Sequence, residues 1–207
     1  MSLDEEINNL FSKNLIEANF ENTDGRINSI KDEETIIKFL KDKLGDDRIE
    51  EPPPRCWYDI KIDGEPIQIK SSSGKTDNWS SAGALLWCLT DMSYDEIGNN
   101  PKAPSVHKII GKKAKTINPD SKPRGMRIIL LDKNSGKLSL HRLEGLSHLV
   151  PNGNNLPFQV PWKKILSEKP KIRNQKEAYS FVIGKWNESI TKRMNQYDVN
   201  DCPDWEK

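Results

Sequence analysis

An α/β fold, with one central mixed β-sheet flanked by α-helices, is predicted by three observations. Residues 57–73 (WYDIKIDGEPIQIKSSS) form two short alternating runs around Asp63-Gly64, the signature of a hairpin closed by a type I′ turn. A second pair of runs, 127–132 and 137–142, flanks the turn Lys133-Asn134-Ser135-Gly136, and its unbroken Ile128, Ile129, Leu130 and Leu131 suit a strand covered on both faces. Around both hairpins, apolar residues recur at helical spacing. A chain of 207 residues is long enough to enclose one well-buried core.

Residues 3–20 place Leu3, Ile7, Leu10, Phe11 and Leu15 on one face, predicting an amphipathic helix that ends before a Thr23-Asp24-Gly25 turn. A second helix is expected from Asp32 as N-cap, with Glu33 and Glu34 in a first turn favoured by the helix dipole, to a stop at Gly45. Ile36, Ile37, Phe39, Leu40 and Leu44 form its buried stripe. Pro52, Pro53 and Pro54 forbid helix and make an extended approach to the first hairpin. After that hairpin, the polar residues 71–81 are expected to open a helix capped by Asn78, Ser80 or Ser81, with Ala82, Leu85, Leu86 and Leu89 inward. Pro101, Pro104, Pro119 and Pro123 argue against a long regular element in 99–127. Residues 145–162 read as loop, and a long helix runs from Asn174 toward Tyr197, for core packing or a dimer contact. The acidic tail, 198–207, is expected to be mobile.

The first hairpin carries the chemistry. With a two-residue loop, Ile62 faces Glu65, and counting outward sets Lys61 opposite Pro66, Ile60 opposite Ile67 and Asp59 opposite Gln68. Alternation puts Trp57, Asp59 and Lys61 on one face with Gln68 and Lys70, and Tyr58, Ile60, Ile62, Ile67 and Ile69 on the other. A carboxylate and a carboxamide are hard oxygen donors of the kind that hold Mg²⁺ with waters retained. A lysine two residues further along the same face can orient or deprotonate an attacking water and offset charge on a phosphorane. An exposed amphipathic hairpin with ordinary surface charges would carry the same pattern.

Asp59, eight intervening residues and then Gln68-Ile69-Lys70 resemble the signature of the PD-(D/E)xK nuclease superfamily, and the following SSSGKTDNWSSAGALLWCLT resembles the segment after that lysine in some type II restriction endonucleases. Two positions depart from the pattern: Tyr58 stands in place of the proline and Gln68 in place of the second acid. The resemblance covers residues 57–90 and implies a restriction-endonuclease-like core that binds a divalent cation and cuts DNA. On it, Asp59, Gln68 and Lys70 are the expected catalytic residues, with Asp59 and Gln68 as Mg²⁺ ligands. It further implies a metal contact from the preceding helix, for which Glu34 is the candidate and Glu33 the second choice. A single nuclease domain over 1–207 is expected: a helical cap (1–50), a catalytic core (51–145) with a basic loop (99–127), then a specificity loop and C-terminal helix (146–207).

Charge distribution bears on the partner. Residues 1–50 hold 7 basic against 13 acidic side chains, whereas 101–127 hold 8 against 1, so the basic segment is suited to a polyanion. Lys108, Lys112, Lys113 and Lys115 are expected on DNA phosphates, as are Ser71, Ser72, Ser73 and Lys75 near a helix N-terminus. Asp77 and Asn78 belong to the family-like segment, and Asn152, Asn154 and Asn155 could read adenine through their amides, although turn and cap roles account for all five.

Cys56, Cys88 and Cys202 suggest neither a disulfide framework nor a zinc site, which fits a reducing cytoplasm. MSLDEEINNL has no basic region followed by an apolar one, and no run approaches a membrane span, so a soluble cytoplasmic protein is expected. The reading is a Mg²⁺-dependent type II restriction endonuclease, acting as a homodimer on a specific palindromic site in double-stranded DNA. The alternatives are a repair or junction-resolving nuclease and a catalytically inactive DNA-binding module.

Overall fold

The computed structural model describes residues 1–20 and 25–196; the expected turn at Thr23-Asp24 and the acidic tail lie outside them. Helix α1 (Leu3–Ser12) opens on a capping box between Ser2 and Glu5. It ends well before residue 20. The Asn14 amide takes the Leu10 carbonyl at 2.7 Å, and the chain leaves extended, with Ile16 N–H on the Gly136 carbonyl at 2.8 Å.

Helix α2 (Gly25–Leu44) starts earlier than expected and places Asp32 in its interior, where the side chain is fully buried. Asp32 is therefore not an N-cap. Its carboxylate accepts the Asn19 N–H at 2.7 Å and the Lys133 ammonium at 2.6 Å. An acidic residue followed by two more acids looks like a first turn in sequence, but here its partners are tertiary.

Strands β1 (Ile49–Glu50), β2 (Ile60–Ile62) and β3 (Glu65–Ser72) follow, and then β4 (Thr76–Trp79) occupies the stretch expected to lead into a helix. Helix α3 (Ala82–Leu89) begins after it, with Ser81 as the cap. Helices α4 (Tyr94–Ile97) and α5 (Ala103–Lys113) come next. The second of these corrects the expectation of an irregular 99–127, because Pro104 sits in the first turn, where no helical N–H is lost. Strands β5 (Arg127–Asp132) and β6 (Lys137–Arg142) match the second hairpin. The loop-like 145–162 contains β7 (Phe158–Pro161) and leads into α6 (Trp162–Ser167); α7 (Gln175–Met194) starts on a capping box of Asn174 and Glu177.

The main sheet is mixed, in the order β1-β2-β3-β5-β6, with β3 parallel to β5 and the other neighbours antiparallel. Parallel pairing requires a crossover, and α3 to α5 lie on it. Both faces are covered. Ile60, Ile62, Ile67, Ile69, Ile129 and Leu131 pack with Ile7, Phe11, Ile36 and Leu40 of α1 and α2. Ile128 and Leu130 on the other face pack under α3, α5 and α7, with a separate ribbon of β4 and β7 contributing Trp79, Phe158 and Val160. At Gly83 of α3 an added Cβ would lie 2.3 Å from the Trp57 ring, so a glycine is needed where the helix seats on the hairpin. Among the described residues no helix is long and apolar enough to cross a membrane.

Candidate active site

The hairpin register agrees with the expectation: Ile62 pairs with Glu65, Lys61 with Pro66 and Ile60 with Ile67, and positive φ at Asp63 (52°) and Gly64 (79°) makes the I′ turn. The ladder then breaks. Asp59 gives its N–H to the Ile67 carbonyl at 2.9 Å, so Asp59 and Ile60 both address Ile67, as in a β-bulge. Asp59 therefore does not pair directly with Gln68; its carboxylate turns along β3 and accepts the Ile69 N–H at 2.6 Å.

The bulge also upsets the alternation before it. Tyr58 leaves the isoleucine face and joins Trp57 in an aromatic group with Trp87 and Tyr94. Lys61 keeps the expected face, opposite Ile60 and Ile62, but its ammonium is engaged away from Asp59. Its ammonium bonds Glu50 at 2.8 Å and lies over the Tyr58 and Tyr94 rings.

What remains together is a compact set. The Lys70 ammonium lies 3.9 Å from Asp59 Oδ2, with both side chains partly open to solvent. Gln68 is almost wholly buried, and its Nε2 donates to the Trp57 carbonyl at 2.7 Å, which also accepts the Ser81 hydroxyl at 2.7 Å. A carbonyl can only accept, so this bond fixes the amide's orientation and leaves Oε1 buried without a partner among the described residues. A buried acceptor with no donor is costly, and a cation would satisfy it.

Glu33, not Glu34, is the helix acid turned to this set. Burial and then the Asp59 charge push its carboxyl up to about 7, against the opposing pull of Lys70. Glu34 is exposed and lines a different hollow with Lys38, Lys41 and Asp42. Adjacent helical residues point about 100° apart, and the packing of α2 on the sheet turns Glu33 rather than Glu34 toward Asp59 and Lys70.

Among the described residues no three His, Cys, Asp or Glu are gathered to hold a metal. The donor set is two carboxylates, Asp59 and Glu33, and the free amide oxygen of Gln68. All are hard oxygens, and they fit Mg²⁺ rather than zinc.

A cleft of about 720 Å³ is lined by Ser71, Ser72, Ser73, Lys75 and Asp77, the residues that follow Lys70 in the chain, together with Phe20, Asn28, Ile30 and Lys133. Ser73 and Lys75 are exposed there. Ser72 is structural: its hydroxyl holds the Gly74 N–H and the Lys75 carbonyl in the turn to β4. None of the three serines stands at a helix N-terminus, because β4 intervenes. Burial pushes the Asp77 carboxyl up, while Trp162, Ser72, Lys70 and Lys75 favour its charged form, so it belongs to the cleft wall.

Lys108, Lys112 and Lys115 are exposed on one flank of α5 and the turn after it, whereas Lys113 is drawn toward Glu96 at 3.7 Å. Asn152 is buried and committed, donating to Asn78 Oδ1 at 2.9 Å and accepting the Asn154 N–H at 3.0 Å. Asn154 is exposed, with its side-chain oxygen on Gln196, and Asn155 is exposed. Gln159, which the sequence placed in a loop, lies on β7 opposite Asn78.

No protein-family profile and no curated protein matches the sequence. Among solved structures, a restriction endonuclease in complex with substrate DNA is similar at 20% identity, covering 62% of this chain and 52% of that one, with a TM-score of 0.26. The chain thus spans about half the length of that neighbour.

Proposed function

We propose that the protein is a Mg²⁺-dependent endonuclease of restriction type, cutting double-stranded DNA at a specific palindromic sequence as a homodimer. The observation that carries this reading is the Asp59–Lys70 pair at 3.9 Å, with Gln68, two residues before Lys70 on β3, keeping a buried Oε1 that has no partner among the described residues. Asp59, Glu33 and Gln68 would hold the ion, which when bound supplies Lewis acidity at the scissile phosphodiester.

The side chains have separate tasks. Asp59, anchored by the Ile69 N–H, is fixed in position before any substrate arrives. Lys70 is partly exposed beside Asp59, where its ammonium orients the attacking water and offsets the charge that gathers on the phosphoryl oxygens. Attack by the water oxygen forms the new P–O bond as the bond to the leaving sugar oxygen breaks. Ser73, Lys75 and the α5 lysines would bear on the DNA backbone.

Purified protein should convert plasmid and genomic DNA to fragments with Mg²⁺ and not with a chelator, and sequencing of the ends should return one motif. Cutting of branched DNA without a fixed sequence would replace restriction by junction resolution. Tight DNA binding with no nicking, or identical behaviour of Asp59→Ala, would remove the catalytic reading.

A further inference from the structure

We infer that the β4–β7 ribbon reads an adenine in the major groove through a composite edge made by Asn78 and Gln159, an inference that rests on the DNA-cutting reading above.

The two residues are a cross-strand pair on the outward face of the ribbon; Trp79, Phe158 and Val160 on its other face are buried. Their amides are locked in one orientation. The backbone N–H of Asn154 donates to Asn152 Oδ1 at 3.0 Å, and a backbone N–H can only donate, so Asn152 must turn its Nδ2 toward Asn78. Asn78 therefore presents its oxygen inward, where it accepts both Asn152 Nδ2 at 2.9 Å and Gln159 Nε2 at 3.0 Å. Asn152 is itself held by the Ser189 hydroxyl on α7.

Among the described residues, Asn78 Nδ2 and Gln159 Oε1 have no further hydrogen-bond partner, and with Asn78 exposed and Gln159 half-buried they leave one donor beside one acceptor. Adenine offers the complement in the major groove, N7 as acceptor and N6–H₂ as donor. Guanine does not fit, because its O6 would meet the Gln159 oxygen. The other edge of β7 is closed at Gln159 by two backbone hydrogen bonds with Val150, so it is the face carrying Asn78 and Gln159, not a free strand edge, that meets the groove. Lys75, Lys163 and Lys164 are exposed at its end, suited to the flanking phosphates. Asn78 follows Lys70 by eight residues, so the reading edge and the cutting residues lie within roughly 26 Å of chain. Asn152 is a positioning residue and touches no base.

The test is selection of bound duplexes from a random pool without Mg²⁺, so that binding is scored apart from cutting. Wild type should enrich a motif with a fixed A·T pair, and Gln159→Ala should lose about tenfold or more of the preference at that position while other positions keep theirs. Gln159→Glu, which presents only acceptors, should shift the position toward cytosine, and it serves if the alanine variant does not fold. An enriched motif left unchanged by both variants, or no enriched motif, overturns the inference. Absence of Mg²⁺-dependent cutting with the A·T preference intact would instead remove the nuclease reading and leave this one standing.

Discussion

Two aspartate–lysine pairs flank β3, and they are built to opposite ends. Asp32 and Lys133 meet at 2.6 Å with the carboxylate fully buried, and Asn19 takes up the remaining capacity of the acid. Asp59 and Lys70 stand 3.9 Å apart, open to solvent, beside an amide oxygen with no partner. The first pair is finished by the protein alone. The second leaves charge and acceptor capacity unspent, which is what the proposed cation and phosphate would take up.

The largest effect expected from breaking this contrast is on cutting. Asp59→Ala should lower the cleavage rate by about 10³-fold or more, whereas its unfolding midpoint should move little, since a partly exposed pair contributes only about 0–1 kcal/mol. A large loss of stability with cutting retained would invert the assignment. Asp32→Ala should do the reverse. It leaves the Lys133 ammonium buried and unpaired at a cost of about 3–5 kcal/mol, read by denaturant unfolding.

The pH dependence carries the same sign. Burial alone would raise the Asp32 carboxyl, but Lys133 and Asn19 outweigh it and hold it below its ordinary 3.8. The folded state therefore binds this proton less readily than the unfolded one. The stability from this pair is present above about pH 3.8 and is lost as pH falls through the depressed value, so Asp32→Asn should flatten acid unfolding in that window.

How far the sequence reached follows the same physical line. Register at Asp63-Gly64 and the β5–β6 hairpin were legible because turn chemistry and alternation are local. The bulge at Asp59 and the choice of Glu33 over Glu34 were not, since each is decided by a tertiary partner. Thr76–Trp79 has no strand signature of its own beyond Trp79; it is a strand because β7, more than 70 residues later, supplies its ladder. Helix α5 was hidden by prolines that fall at its start and beyond its end.

A smaller effect is expected on the basic flank of α5, where Lys108, Lys112 and Lys115 are exposed and have no ion pair among the described residues, unlike Lys133. Replacing Lys108, Lys112 and Lys115 together by alanine should weaken DNA binding about tenfold near physiological salt. If all three meet phosphates, the slope of log affinity against log salt should fall by about 2.7. An unchanged slope would place the DNA elsewhere.

The smallest effect concerns Glu33, and it has a sign that ordinary surface acids lack. Its carboxyl is raised from 4.5 to about 7, chiefly by burial and then by Asp59. The folded, metal-free protein thus holds this proton more tightly than the unfolded chain. The associated stability is present below about pH 4.5 and is lost as pH rises through 7. Glu33→Gln cannot ionise, so at pH 8 without metal it should be more stable than wild type by on the order of 1 kcal/mol, discounted for partial exposure, and nearly equal to it at pH 4.5. In Mg²⁺ the order should close or reverse, because only the carboxylate gains from the cation. A destabilising acid whose cost the ion removes belongs with Asp59; if added Mg²⁺ leaves the wild-type deficit at pH 8 untouched, Glu33 is a buried acid of no use to the site.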